Sequence, residues 1–181
     1  MAFSTRPGRL GDATRRLLLI SAFLAGIGPA HAQPGAPDSA TEAQNRSILR
    51  TAFERWRAGG DVFTGLLAPD VVWTIHGSGP VAGTYRGLRD FIDRASAPLV
   101  TRLTGPVVPE VHDIFAEGDT VIIRFDGAAM TTSGAPYRNQ FVWIFRLRDG
   151  TVVEAEAFLD LVAYQHVVEN NAPRAQSPEG G

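Results

Sequence analysis

Two alternating runs joined by Asp149-Gly150 constrain this chain more than any other stretch. Asn139 to Arg148 and Thr151 to about Ala163 both read as strands, and Asp-Gly between such runs favours a two-residue type I′ hairpin. Without a bulge, Arg148 lies opposite Thr151 and Asn139 opposite Asp160. Period-two alternation then sorts the side chains. One face carries Asn139, Phe141, Trp143, Phe145 and Leu147 with Val152, Glu154, Glu156, Phe158 and Asp160. The other carries Gln140, Val142, Ile144, Arg146, Val153, Ala155, Ala157 and Leu159. A β-bulge would swap the later residues between faces. The first face mixes large aromatics with a few polar groups, which is the composition of a cavity lining. The second is mostly small and aliphatic, as expected of a face that something else covers.

The elements before the hairpin supply candidate covers. Thr41 to Ala58 reads as a helix capped by Thr41, with Ile48, Ala52 and Trp56 in one stripe, and Gly59-Gly60 stops it. Asp61 can cap a short second helix that runs to Leu67 and ends before Pro69. Val71 to His76 is a strand, with Val71, Trp73 and Ile75 on one side and Val72, Thr74 and His76 on the other. A glycine-rich loop follows from Gly77 to Gly83. It lacks the phosphate-loop pattern, and the chain contains no lysine. Gly87 to about Leu103 reads as a third helix, with Pro98 a kink or an end. Val107 to Phe115 and Asp119 to Ala129 are two more strands. Helices followed by a mostly antiparallel sheet give an α+β layer design.

The ends of the chain read differently. Four arginines precede the apolar run Leu17 to Ile27, and Ala30 and Ala32 occupy the small-residue positions of a cleavage site. Residues 1–32 therefore read as a signal peptide, of the general secretory or the twin-arginine kind, and the protein as periplasmic or secreted. The run is eleven residues, too short to span a bilayer, which takes about 20. Residues 33–40 read as a flexible linker, 41–170 as the folded domain and 171–181 as a disordered tail. Without the signal, thirteen arginines face eighteen acidic residues, a formal charge of −5. That disfavours nucleic acid as a partner. There is no cysteine, so disulfides, cysteine-ligated metals and cysteine nucleophiles are excluded. The absence of lysine excludes Schiff-base chemistry. The scattered histidines show no metal-ligand spacing, and no cofactor is implied.

The segments Val71–Gly87, Tyr137–Gly150 and Glu154–Asp160, in this order and spacing, resemble a SnoaL-like domain of the NTF2-like, ketosteroid-isomerase-like superfamily. The resemblance spans about 41–168. It implies an α+β cone, three N-terminal helices packed on a strongly curved, mostly antiparallel sheet. It also implies a pocket between helices and sheet, and a homodimer formed through the outer sheet face. Such domains include cyclases, isomerases, epoxide hydrolases and non-catalytic binding proteins, so the fold does not select an activity.

The resemblance makes Asp160 the match to the general base of cyclase members. A carboxylate buried near aromatics would have its pKa raised into a useful range. His76, at a strand end, and Tyr85 are candidates for proton transfer and for stabilising oxygen charge. Trp73, Phe141 and Trp143 are candidate pocket walls, and His112, Asn139 and Glu156 candidate polar contacts. The expected ligand is a small apolar carbonyl-type or polycyclic molecule. A non-catalytic binding protein and a structural dimer module remain open beside the cyclase or isomerase reading. Epoxide hydrolysis would draw on Arg124, Asp126 and Asp160 with Tyr85 and Asn139, and nothing in the sequence brings these together.

Overall fold

The computed structural model describes residues 39–174. The signal-peptide reading, most of the predicted linker and the end of the predicted tail lie outside them.

Helix α1 spans Ala40–Arg57. Its cap is Ser39, two residues before the predicted Thr41. The Ser39 hydroxyl accepts from the Glu42 N–H at 3.2 Å, and the Ser39 N–H donates back to the Glu42 carboxylate at 2.7 Å. This reciprocal box satisfies two of the helix's orphan donors, so the helix absorbs the last residues of the expected linker. The predicted short second helix is absent. Asp61 caps a turn instead, accepting from the N–H groups of Phe63 and Thr64 at 2.9 and 3.0 Å. Strand β1 then starts early, at Leu67–Ile75.

Strand β2, Gly83–Arg86, pairs antiparallel with β1 at the end of the glycine-rich loop. The helix expected after Gly87 forms in three pieces. Leu88–Phe91 (α2) and Ala97–Val100 (α3) are α-helical, and Ile92–Ser96 between them is a π-turn. Pro98 lacks the N–H that would continue the α pattern, so the irregularity just before it has an identifiable cause.

Four long strands follow: β3 Val108–Glu117, β4 Thr120–Met130, β5 Pro136–Arg148 and β6 Thr151–Leu159. The chain closes with helix α4, Leu161–Asn170. Its residues up to Ala163 were expected to continue the last strand. The third helix is therefore C-terminal and not one of three at the start. The sheet order is β2-β1-β6-β5-β4-β3, antiparallel except for the parallel β1–β6 pair. The result is an α+β domain of three helices packed on a curved, mostly antiparallel six-stranded sheet.

The β5–β6 hairpin turns at Asp149 and Gly150, whose φ angles of 51° and 77° suit the expected type I′ turn. Arg148 pairs with Thr151 and Leu147 with Val152, as predicted, but Arg146 then pairs with Glu154. Val153 is the extra residue of a β-bulge. Everything after it changes face: Ala155, Ala157 and Leu159 oppose Phe145, Trp143 and Phe141, while Glu154, Glu156 and Phe158 join Arg146, Ile144 and Val142. The physical reason is burial. Ala155 and Ala157 are almost fully buried, a position two unpaired carboxylates could not take without a large desolvation cost.

The core lies between the inner sheet face and the helices. Trp73, Phe125, Trp143 and Phe145 from the sheet meet Leu49 and Phe53 from α1, Phe91 from α2 and Val167 from α4. Gly127 in β4 is needed for close approach. A Cβ there would lie 2.8 Å from both the Phe141 ring and a Val107 methyl. The chain remains attached beyond α4: Arg102 donates to the Asn171 carbonyl, the Thr132 hydroxyl to that of Ala172, and the Arg174 N–H to that of Thr101. Residues 171–174 are thus tied to the domain where a frayed tail was expected. Among the described residues no helix is long and apolar enough to cross a membrane.

Candidate functional site

A cavity of about 400 Å³ opens between the helices and the inner sheet face. The sheet contributes Trp73, Ile75, Phe141, Trp143, Ala157 and Leu159 to its wall. The turn after α1 contributes Val62 and Phe63, the bent helix Phe91, Ile92, Ala95 and Leu99, and α4 Tyr164. Its aromatic walls are braced. Trp143 stacks on Trp56 with planes 6° apart and centroids at 5.9 Å, and meets Trp73 edge-on at 5.2 Å. Trp73 in turn stacks on Phe91 at 4.1 Å. Such contacts hold large side chains in fixed positions beyond the gain from burial alone.

Few polar groups reach this wall, and most are engaged. Asp61 is the one carboxylate among the described lining residues. Burial pushes its pKa up, but the Thr64 hydroxyl, the two backbone N–H groups and the Arg55 charge outweigh that and leave it below the ordinary value. It is an ionised, hydrogen-bonded turn cap. The Tyr164 hydroxyl donates to the Ala95 carbonyl at 2.9 Å. The Ala95 carbonyl belongs to the π-turn, so this bond ties α4 to the irregular helix across the cavity wall. Burial raises the Tyr164 pKa well above that of free tyrosine. Ser96 is a further polar residue of the wall, and the buried Nε1–H of Trp73 has no hydrogen-bond partner among the described residues.

The sequence-predicted residues divide cleanly. Trp73, Phe141 and Trp143 meet in the cavity. His112, Asn139, Glu156, Asp160, His76 and Tyr85 do not line it. Glu156 lies on the outer sheet face because of the bulge. There its carboxylate accepts from the His76 Nε2–H at 2.6 Å, and the imidazole stacks on Phe158 at 4.5 Å. His112 sits 3.3 Å from Asp126, and Arg124 3.3 Å from Asp113. Arg124 and Asp126 thus hold partners on this strand pair and are not gathered with Tyr85. The Tyr85 hydroxyl donates to the Val81 carbonyl at 2.7 Å and closes its own loop.

Asp160 is the N-cap of α4. Its Oδ1 accepts from the N–H groups of Val162 and Ala163 at 2.9 and 3.1 Å. Asn139 is buried and fully used: Nδ2 donates to the Tyr137 hydroxyl and the Asp160 carbonyl, and Oδ1 accepts the Asp160 N–H. Both residues border a second, more polar depression with Glu110, Asp126 and Arg138, apart from the aromatic cavity.

Sequence reasoning left out Trp56, Phe63, Phe91 and Tyr164 as cavity residues. The α1 stripe already pointed Trp56 inward. Tyr164 was hidden because the strand was read past its end at Leu159.

The family model described as SnoaL-like domain matches residues 49–155, more than half of the chain. No curated protein matches the chain. Among solved structures, a protein assigned as a SnoaL-like polyketide cyclase from Jannaschia sp. CCS1 is 21% identical with a TM-score of 0.59, over 76% of this chain and 100% of that one. An NTF2-like protein from Burkholderia thailandensis E264 is 22% identical with a TM-score of 0.55, over 71% and 98%. TerC, co-crystallized with polyporic acid, is 21% identical with a TM-score of 0.55, over 70% and 99%.

Proposed function

The chain belongs to the SnoaL-like domain family, and on that premise we propose that it is an exported binding protein that holds a small, uncharged, ring-rich molecule in the helix–sheet cavity. One observation carries this reading. The cavity wall is aromatic and aliphatic, and its only carboxylate, among the described residues, is already ionised and filled by three donors. An apolar volume of this size suits a small organic ligand. A proton-transfer enzyme would need an acid or base facing that volume, and the candidate base Asp160 is a helix cap elsewhere. Binding without turnover is therefore favoured over cyclase or isomerase chemistry. The names of the cyclase-type relative and of TerC with its bound polyporic acid support a small-molecule role of this general kind.

Export rests on the sequence before residue 33. A homodimer rests on the outer sheet face, where Ile122, Ile144 and Val142 run beside the exposed rings of Phe115 and Phe158. Ion pairs flank this apolar strip, including Arg146–Glu154 and Arg124–Asp113. An apolar strip edged by charged pairs suits a two-fold interface, in which the same strip meets itself.

The test is saturable binding of an uncharged aromatic probe, N-phenyl-1-naphthylamine, followed by its fluorescence. The wild-type protein is expected to bind it at one site per chain. Ala95→Leu, which adds bulk to the cavity wall, is expected to weaken it by about tenfold or more. Binding that Ala95→Leu leaves unchanged, or no saturable binding by the wild type, overturns the reading.

A further inference from the structure

Trp143 lies on the inner face of β5 and is 6% exposed, with the rings of Trp56, Trp73, Phe125 and Phe141 against it. Its Nε1–H makes no hydrogen bond among the described residues. It is not one of the unpaired polar atoms closed off from solvent, as the Nε1 of Trp73 is, so this nitrogen keeps accessible surface. Strand β5 is flanked by β4 and β6, and the side chain borders the helix–sheet cavity, so that surface opens on the cavity. Two other donors of the wall are equally without a protein acceptor, the Trp56 Nε1–H and the Ser96 hydroxyl, but both residues are half-buried. The remaining polar groups are engaged. Tyr164 donates to Ala95, the N–H groups of Gly59 and Gly60 donate to carbonyls of α1, and the Asp61 carboxylate accepts from Phe63 and Thr64.

We infer that Trp143 is the specificity-determining residue of this cavity and that its Nε1–H receives the oxygen of an uncharged aromatic carbonyl compound. This rests on the cavity being a binding site. A molecule that fills the volume takes solvent away from this nitrogen. It must then supply an acceptor or leave a buried N–H unmade, and buried indole N–H groups normally find a partner. Surrounding rings hold the indole in place, so the donor cannot swing out to water. Trp56 and Ser96 discriminate less, because more of their surface stays with water when the cavity is filled. No arginine or histidine borders the cavity among the described residues, so an anion would be buried without a counterion. A neutral ring system with one acceptor remains, and the analogue lacking that acceptor is the one the site penalises.

The test compares 9-fluorenone with fluorene, two nearly isosteric tricyclic molecules of which only the first carries a carbonyl, by their displacement of the naphthylamine probe. The wild type is expected to prefer fluorenone by about tenfold, the value of one net hydrogen bond in a dry site. Trp143→Phe keeps a ring, removes the N–H and is expected to abolish the preference. The preference is a ratio within one variant, so a general change in cavity volume cancels. Ser96→Ala and Trp56→Phe are expected to keep it. The wild-type indole resonances, with the indole nitrogen labelled, give a readout that needs no variant. The Trp143 N–H, identified by its proximity to the Trp56 ring, should move downfield with fluorenone and not with fluorene. A preference that survives Trp143→Phe and is lost in Ser96→Ala or Trp56→Phe overturns the Trp143 assignment. So does equal affinity for the two tricycles with no such movement, or failure of both to displace a bound probe, and in these cases the cavity reading stands. Failure of the probe itself to bind overturns both.

Discussion

Asn139 and Asp160 exchange two hydrogen bonds of 2.9 Å, the Asn139 amide donating to the Asp160 carbonyl and its Oδ1 accepting the Asp160 N–H. The pair imitates a step of sheet ladder at the point where β6 has ended and α4 has not begun. It fixes the direction in which α4 leaves the sheet, and so delivers Tyr164 to the cavity wall.

Asn139→Ala is therefore expected to destabilise the protein by about 2–3 kcal/mol, since it orphans two backbone groups and weakens the surroundings of the buried Tyr137 hydroxyl. Urea denaturation checks this. A change below about 0.5 kcal/mol, the scale of an ordinary surface substitution, contradicts it.

Asp160 separates a capping role from a catalytic one. Asp160→Ala should cost about 1 kcal/mol through loss of the cap, while Asp160→Asn, an equally good cap, should cost little. Neither should alter binding of an aromatic ligand in the cavity. If Asp160→Asn folds normally yet loses a measurable turnover, the general-base reading returns.

Alkaline pH offers a clean window, because the chain has no lysine or cysteine and its three tyrosines are the side chains that titrate there. Burial raises the pKa of all three, that of Tyr137 to about 12. The folded state thus holds these protons more tightly than the unfolded state does. The stabilisation is complete below pH 10 and is lost as pH rises from there through about 12. Each fully shifted tyrosine contributes about 1.4 kcal/mol per pH unit within its window. Phenolate absorbance should appear together with unfolding. Reversible ionisation of all three tyrosines near pH 10 in a folded protein would refute the assignment of their burial.

Gly127→Ala places a methyl against the Phe141 ring and Val107, both cavity residues. The expected cost is about 1–3 kcal/mol from overpacking, with a parallel loss of ligand affinity as Phe141 is pushed inward. Thermal melts with and without the naphthylamine probe measure both effects.

Much of this architecture is written in local patterns. The Asp149-Gly150 turn, the alternation of β5 and the inward side of Trp73 and Trp143 follow from turn chemistry and period-two burial. The bulge at Val153 left no comparable mark. Val152-Val153 continues a good strand pattern, and the reason to insert a residue lies in the neighbouring strand and helices that bury Ala155 and Ala157. The end of β6 was equally hidden. Asp160 followed by Leu161-Val162-Ala163 suits a strand by composition, whereas the capping geometry and the bond to Asn139 make it a helix start. The aromatic half of the candidate site was thus legible; of its polar half, the bulge turned Glu156 to the outer face, while Tyr85, His112, Asn139 and Asp160 are held by partners away from the cavity.

The one inserted residue has a consequence for what the cavity can be made of. A sheet strand has parity, and without the bulge Glu154 and Glu156 would take the inner face in place of Ala155 in the core and Ala157 on the cavity wall. Val153 thus acts as a spacer that keeps the receptacle greasy, since the other parity would sink two carboxylates into it.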